Sequence, residues 1–208
     1  MGALGGAVLT VGTDGERVEQ ALRSGGLACP GCSAPLASWG WARGRAVRAE
    51  AESVWVVPRR SRCAGCGATH VLLPVGLLLR RADTAAVIAG ALLAKAAGAG
   101  HRQIAAGARR PAETVRGWLR RFGGRLEAVR SVFTGWCRAL APDPVLPGPA
   151  GSLWTDAVAA VWAAADAAAA RFVLGKVPVW AAAVAVSQGR LLAPGWPAAT
   201  DRERINTS

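Results

Sequence analysis

The pattern of apolar and polar residues changes character near residue 80. Before it, apolar residues come in short runs and alternations: Ala7 to Val11, Trp39 and Trp41 on either side of a glycine, and Val54 to Val57. Stretches of this length, punctuated by Gly, Pro and Arg, predict short strands. Trp39 and Trp41 alternate as on one face of a strand, and Trp55 reads as part of a small strand core. Val71 to Leu79 is apolar but broken by Pro74, and is expected to join the strands to the next region. One early helix interrupts the strands. Val18 and Leu22 share a face, Gly25 and Gly26 stop the helix, and Thr13 with Glu16 has capping-box spacing.

From Ala85 the period is helical. Val87, Ile88, Ala91 and Leu92 predict a helix over 85–97, with Asp83 or Thr84 as its cap. His101 to Ala106 forms a short helix, Arg109 to Pro111 a break, and a second helix then carries Val115, Trp118, Leu119 and Phe122 on one face. Glu113, Arg116, Gly117, Arg120 and Arg121 fall on the other face. Leu126, Val129, Phe133, Trp136 and Leu140 mark a further helix. Pro142, Pro144, Pro147 and Pro149 predict a stiff linker. Beyond it, Ser152 can cap an alanine-rich helix to Phe172, followed by a second helix over 179–187. The last eight residues read as a frayed tail. The expected organisation is a strand–helix leader (1–28), a cysteine-bearing strand module (29–80), a helical domain (81–141), a linker (142–150), a C-terminal helical hairpin (151–198) and a tail (199–208). The fold class is α+β, mostly helical.

The cysteines give the strand module its chemistry. Cys29 and Cys32 form one Cys-x2-Cys pair, Cys63 and Cys66 a second, thirty residues on. Two such pairs in one short segment have the spacing of a zinc site, and four soft thiolates suit tetrahedral Zn2+. The expected cofactor is one structural zinc in a ribbon-like sheet. With four protein sulfurs as ligands, no position is left for a substrate. Two disulfides, an iron–sulfur cluster and a redox Cys pair are the competing uses of such cysteines. Disulfides are rare in the cytosol, iron–sulfur spacings are tighter, and a redox pair needs a helix start in an α/β fold. His70, four residues past Cys66, is expected on the surface. Cys137 is unpaired in sequence and reads as a buried thiol in a packed helix.

Charge then narrows the partner. The chain carries 25 Lys and Arg against 13 acids, a formal charge of +12, and only two of the basic residues are lysine. Residues 1–150 hold twenty basic and nine acidic side chains, so the excess lies with the cysteines and the first helices. Such asymmetry favours a polyanion. A GC-rich coding sequence is a competing cause of high arginine. Candidate contacts to double-stranded DNA are Arg116, Arg120 and Arg121 on the second helix, Arg109 and Arg110 in the turn, and Arg59, Arg60 and Arg62 beside the second cysteine pair. Trp39 and Trp41 are candidate base-stacking residues. RNA is the other polyanion that the charge admits. No apolar run has the length and purity of a membrane span, and no basic stretch precedes the first apolar run as in a signal peptide. The expected compartment is the cytoplasm, at the nucleoid.

The segment from His101 to Phe122 resembles the helix-turn-helix of bacterial transposases, resolvases and repressors. Ile104 and Ala105 match its first helix, and Val115 and Trp118 its second. The family's turn glycine falls on Arg109, a departure that requires a left-handed arginine. CPxC, a WGxxxR strand, RRxRCxxCG followed by His70 and Leu73-Pro74, and then these helices resemble the N-terminal part of transposases that begin with a zinc ribbon. The whole chain is still more similar to a family of short actinobacterial proteins of unknown function, found near mobile elements and ending in INTS. The resemblance implies DNA binding, a transposase or integrase as partner, and a helper role.

The expected function is a non-catalytic DNA-binding regulator or accessory factor of a mobile element. Metal-dependent transposases need converging acids on an α/β domain, whereas after Phe122 the acids are few and scattered: Asp156 and Asp166 are ten residues apart. Two alternatives stay open: a zinc-stabilised protein–protein adaptor, and a remnant of a transposase whose catalytic part is gone. Trp154, Trp162 and Trp180 are expected to be buried against the first domain or against a second chain, the linker favouring a homodimer through the C-terminal helices.

Overall fold

The strand-like first third folds into two sheets and one helix, and the described residues after 84 form helices with the turns and loops between them. The computed structural model describes residues 7–172 and 178–198. In chain order these hold β1 (Ala7–Val11), α1 (Gly15–Arg23), β2 (Leu36–Trp41), β3 (Arg45–Arg48), β4 (Ser53–Val56), β5 (Arg59–Cys63), β6 (Thr69–Pro74), α2 (Ala85–Ala96), α3 (His101–Ala108), α4 (Ala112–Gly123), α5 (Leu126–Leu140), α6 (Leu153–Arg171) and α7 (Val179–Val186). The class is mixed α+β and mostly helical. The tail from 199 lies outside the described residues.

The larger sheet has the order β1-β6-β5-β2. Its inner strands are antiparallel, but β1 runs parallel to β6, from Ala7 opposite His70 to Val11 opposite Pro74. The strand of the leader, β1, is therefore an edge strand of the sheet. A parallel pair needs a long excursion between its strands, and here that excursion holds α1 and both cysteine pairs. Leu9, Val11, Val18 and Leu22 of the leader pack with Cys29, Leu36, Cys63 and Leu72. Helix α1 is capped by Asp14, not Thr13: its carboxylate accepts from the amides of Glu16 at 3.0 Å and Arg17 at 3.2 Å. A carboxylate also meets the positive end of the helix dipole, which a threonine hydroxyl does not.

Two features of the strands depart from simple alternation. The β2–β5 register slips between Ser38 and Gly40, where Gly40 takes a φ of +111°. Trp41 then pairs across with Arg59, whereas Trp39 stacks with Arg62. Arg59 and Arg62 are three apart on one strand, so the bulge sends the two tryptophans to opposite faces. The second departure is the hairpin β3–β4, a separate two-stranded sheet. Trp55 on it is 69% exposed, not core. The hairpin's inward residue is Val47, packed with Leu73 and Leu77.

The helices share one core. Leu92, Val115, Trp118, Phe122, Val129, Phe133, Val161, Val184, Leu191 and Leu192 belong to a single buried cluster that runs from α2 to the turn after α7. Alanine makes this compact: Ala157, Ala160, Ala164 and Ala167 let α6 lie close along α5. Trp154 stacks on Phe122 with ring centroids 5.3 Å apart. The C-terminal helices thus bury Val158, Val161 and Val184 within the chain with Trp154 and Trp180 packed against that core, whereas Trp162 stays 46% exposed, and the proline-rich stretch crosses the surface of a core that continues on both sides of it. The final turn closes on the sheet. Leu79 donates its amide to Gly189 O at 2.8 Å, and Arg125 donates to Ala193 O and Trp196 O, both at 2.6 Å. Gly189 has a φ of +73°, and a Cβ there would lie 2.5 Å from Leu73 Cδ2, so the approach depends on glycine.

Sheet and helices are joined by a buried ion cluster. Asp83, just before α2, is 2% exposed; it accepts from Arg48 at 2.7 Å and from Arg110 Nε at 2.5 Å. Arg110 also donates to Ala49 O at 2.6 Å. One carboxylate thereby holds the β3–β4 hairpin, the entry to α2 and the turn before α4.

Candidate metal centre and basic helix face

The two Cys-x2-Cys segments fold alike. In each, the residue four after the first cysteine is left-handed and donates its amide back to that cysteine's carbonyl: Ser33 (φ 59°) to Cys29 at 2.9 Å, and Gly67 (φ 72°) to Cys63 at 3.1 Å. The first cysteine's own amide bonds one residue further on, to Ala34 O and Ala68 O, both at 2.8 Å. These tight turns aim both sulfurs of a pair the same way. The pairs then meet, because Leu36 and Cys63 are partners across β2 and β5.

The four sulfurs all lie within 4.8 Å of one another, with Cys29–Cys66 at 3.8 Å and Cys32–Cys63 at 3.3 Å. A tetrahedron of sulfurs about 2.3 Å from a zinc has edges of about 3.8 Å. The cluster is thus geometrically consistent with a structural metal site, and its all-thiol donor set fits zinc. The electrostatics agree. The Cys66 amide, donating to Cys63 Sγ at 3.4 Å, is the main cause that lowers the Cys63 thiol to about 6. The Ala68 amide pulls Cys66 down, but hydrogen bonding with Cys63 and Cys32 and partial desolvation outweigh that and push it up to about 11. Crowded sulfurs cannot all ionise without a cation between them, and a divalent metal supplies that charge.

His70 is not on the surface. It is 3% exposed, and its Nε2 lies 3.6 Å from Cys29 Sγ. The alternation of β6, with His70 and Leu72 both buried, was the available signal.

The second candidate region is α3, its turn and α4. Arg109 takes up the left-handed conformation, φ 52° and ψ 47°, and its amide closes α3 on Ala105 O and Ala106 O. The turn is therefore formed with arginine where glycine was expected. Val115, Trp118, Leu119 and Phe122 are the buried side of α4. Arg109, Arg116 and Arg120 are exposed, and Arg116 pairs with Glu113 at 2.8 Å. A shallow cleft lined by Lys95, Gly100, His101, Arg116, Leu119 and Arg120 runs beside them. Arg121 is half-buried and donates to Gly117 O at 3.0 Å. It faces Arg81 and Arg125, whose guanidinium pKa values are lowered first by burial and then by neighbouring arginines.

Arg110 does not face outward. Its side chain is 9% exposed and spent on Asp83 and Ala49, so it is withdrawn from the surface contacts expected of it. Arg59 is also engaged, with Glu19 at 2.6 Å, Gly40 O at 2.7 Å and the Trp41 ring at 4.5 Å. Arg60 is half-buried; Arg62 is exposed and lies over Trp39 at 4.8 Å.

Residues 29–118 match the family model of a domain of unknown function, DUF6431. The match opens on Cys29 and closes on Trp118, so it takes in all four cysteines, His70, Asp83 and the turn at Arg109, but less than half of the chain. No curated protein and no solved structure matches. Among the described residues no helix is long and apolar enough to cross a membrane.

Proposed function

We propose that the chain is a non-catalytic DNA-binding module, a zinc ribbon followed by a helix-turn-helix, that serves a mobile element as regulator or accessory factor. The observation that carries this reading is the arginine face of α4, held outward by a buried apolar face and introduced by a left-handed turn. Such a helix can enter a major groove while its neighbour spans the backbone. Arg120 and Arg116 are the base readers, because they are exposed on the free face and a guanidinium can bind guanine through two bonds. Arg109 and Arg62 meet phosphate, with Arg121, Arg60 and Arg59 at the flank. Trp39 is the stacking residue on the Arg62 side, and Trp41 lies on the opposite face.

Cys29, Cys32, Cys63 and Cys66 hold one structural zinc. Bound there, the metal crosslinks the two turns and neutralises their sulfurs. Two of the acids have structural work: Asp83 holds two arginines, and Asp156 accepts the amide of Ala150 at 2.6 Å. A transposase or integrase is the partner that the mobile-element reading implies. One observation favours a second reading, a protein adaptor: an open groove of about 610 Å³ between α2 and α3, lined by Ala86, Gly90, Ala94, Ile104 and Gly107. Selection from a random duplex library with zinc-loaded protein decides between them. An enriched motif that is lost in Arg120→Ala supports DNA reading, and a pool that stays unenriched over successive rounds counts against it.

A further inference from the structure

The four sulfurs are not equally placed. Cys32 and Cys66 are exposed, so solvent can share the charge of their thiolates; Cys29 and Cys63 are buried and cannot use it. Cys63 has a protein donor instead, the Cys66 amide at 3.4 Å. For Cys29 the corresponding group is the His70 ring, whose Nε2 stands 3.6 Å from its sulfur, a normal N–H···S separation. His70 sits on the inner strand β6 between Ala7 and Ser61, with its ring turned into the sheet's core. Among the described residues its Nδ1 is buried without a partner, and so is the Ser61 hydroxyl. A buried imidazole is retained where at least one nitrogen is used, and Cys29 Sγ is the partner that the structure gives it.

We infer that His70 belongs to the metal centre as a positioning residue: its Nε2–H donates to the Cys29 thiolate and does for that sulfur what solvent does for Cys32 and Cys66. This rests on the four cysteines holding zinc. Four thiolates around one dication leave two negative charges in excess, half of them on buried sulfurs. A fixed donor drains that charge and orients the ligand, and losing such an outer partner typically weakens metal binding about 10–100-fold. His70 approaches a sulfur from behind, on the sheet side, and is not a fifth ligand. The hydrogen bond fixes the tautomer with hydrogen on Nε2.

The test compares wild type with His70→Phe, His70→Gln and His70→Asn in the full chain under reducing conditions. Zinc affinity is measured by competition with a chromophoric chelator, and the Co2+-loaded proteins give the ligand set from their sulfur-to-cobalt absorption. Glutamine can place an amide nitrogen where Nε2 stands, whereas asparagine cannot reach it. The expected result is a four-thiolate cobalt spectrum throughout, a loss of zinc affinity of about 10–100-fold in the Phe and Asn variants, and recovery in the Gln variant. Far-UV circular dichroism checks the fold, and the Gln–Asn contrast separates hydrogen bonding from packing. Equal affinities for Gln and Asn, or no loss in any variant, overturn the inference while leaving the zinc reading intact. A three-thiolate spectrum in wild type would make His70 a ligand and overturn it too. Wild type that takes up no metal overturns the zinc reading and this inference with it.

Discussion

Removing the Asp83 carboxylate should be among the most damaging single changes to this fold. Asp83→Ala deletes the acceptor shared by Arg48 and Arg110. The two arginines respond differently. The Arg48 side chain is 41% exposed and can turn to water, so its share is that of a surface pair, about 0–1 kcal/mol. Arg110 is 9% exposed, and without Asp83 its remaining acceptors are the carbonyls of Ala49, Ala108 and Arg109. A charge left buried with carbonyls alone costs about 3–5 kcal/mol. Arg110→Met, which leaves Asp83 with Arg48, should cost less, and the double variant Asp83→Leu/Arg110→Met less than Asp83→Ala alone. Urea unfolding of zinc-loaded protein, followed by circular dichroism, reads this directly. With a slope of about 2–3 kcal/mol/M, the midpoint of Asp83→Ala should fall by about 1–2 M. A fall under 0.3 M (roughly the scatter of such fits,), or a greater loss in Arg48→Ala than in Asp83→Ala, would refute the role given to this cluster.

Other changes report on separate parts of the fold. Cys63→Ser should abolish stoichiometric zinc binding and melt the sheet while α2 to α7 keep their helical circular dichroism, measured beside metal content; retained zinc at one equivalent would contradict the four-cysteine site. Acidification should release the metal as thiolates are protonated, since ligand binding competes with protons, and a zinc-responsive dye follows it; metal held at pH 3, about five units below a free thiol's ordinary value, would point to other ligands. Arg109→Gly should be neutral to stabilising by about 1 kcal/mol, because glycine takes the left-handed conformation freely, whereas Arg109→Val should lower the melting temperature. Gly189→Ala should destabilise by about 1–3 kcal/mol in the same assay, from both its φ and the Leu73 methyl; an unchanged midpoint would mean that the final turn moves freely off the sheet.

What could be read from the sequence is what is local. The α4 face shows in the spacing of Val115, Trp118, Leu119 and Phe122, and the cysteine cluster in two Cys-x2-Cys turns, because each depends on residues within a few positions of one another. The rest depends on pairings across distance. The parallel partnership of β1 with β6 joins Ala7 to His70, and no pattern within either strand announces it. His70 shares the buried side of β6 with Leu72, and its expected surface position overlooked that alternation. One inserted residue at Trp39 separates the faces of two tryptophans that strict alternation would put together. Arg110 looks like its neighbours in a basic stretch, and only the position of Asp83, twenty-seven residues earlier, turns it inward. The alanines of α6 carry little amphipathic signal, so their packing on α5 could not be told from a free hairpin.

The claim that most needs measurement is duplex binding through α4. Zinc-loaded wild type, and the double variant Arg116→Ala/Arg120→Ala, would be titrated against a labelled duplex by fluorescence anisotropy at several salt concentrations. Each phosphate contact contributes about −0.9 to the slope of log K against log salt. A DNA-binding module should give a slope of several units for wild type. The double variant should lose about 1–3 kcal/mol per base-reading arginine on the preferred site and much less on random duplex. Wild type that fails to bind any duplex near physiological salt, with zinc bound and helices folded, would contradict DNA binding and hand the chain to the protein-adaptor reading.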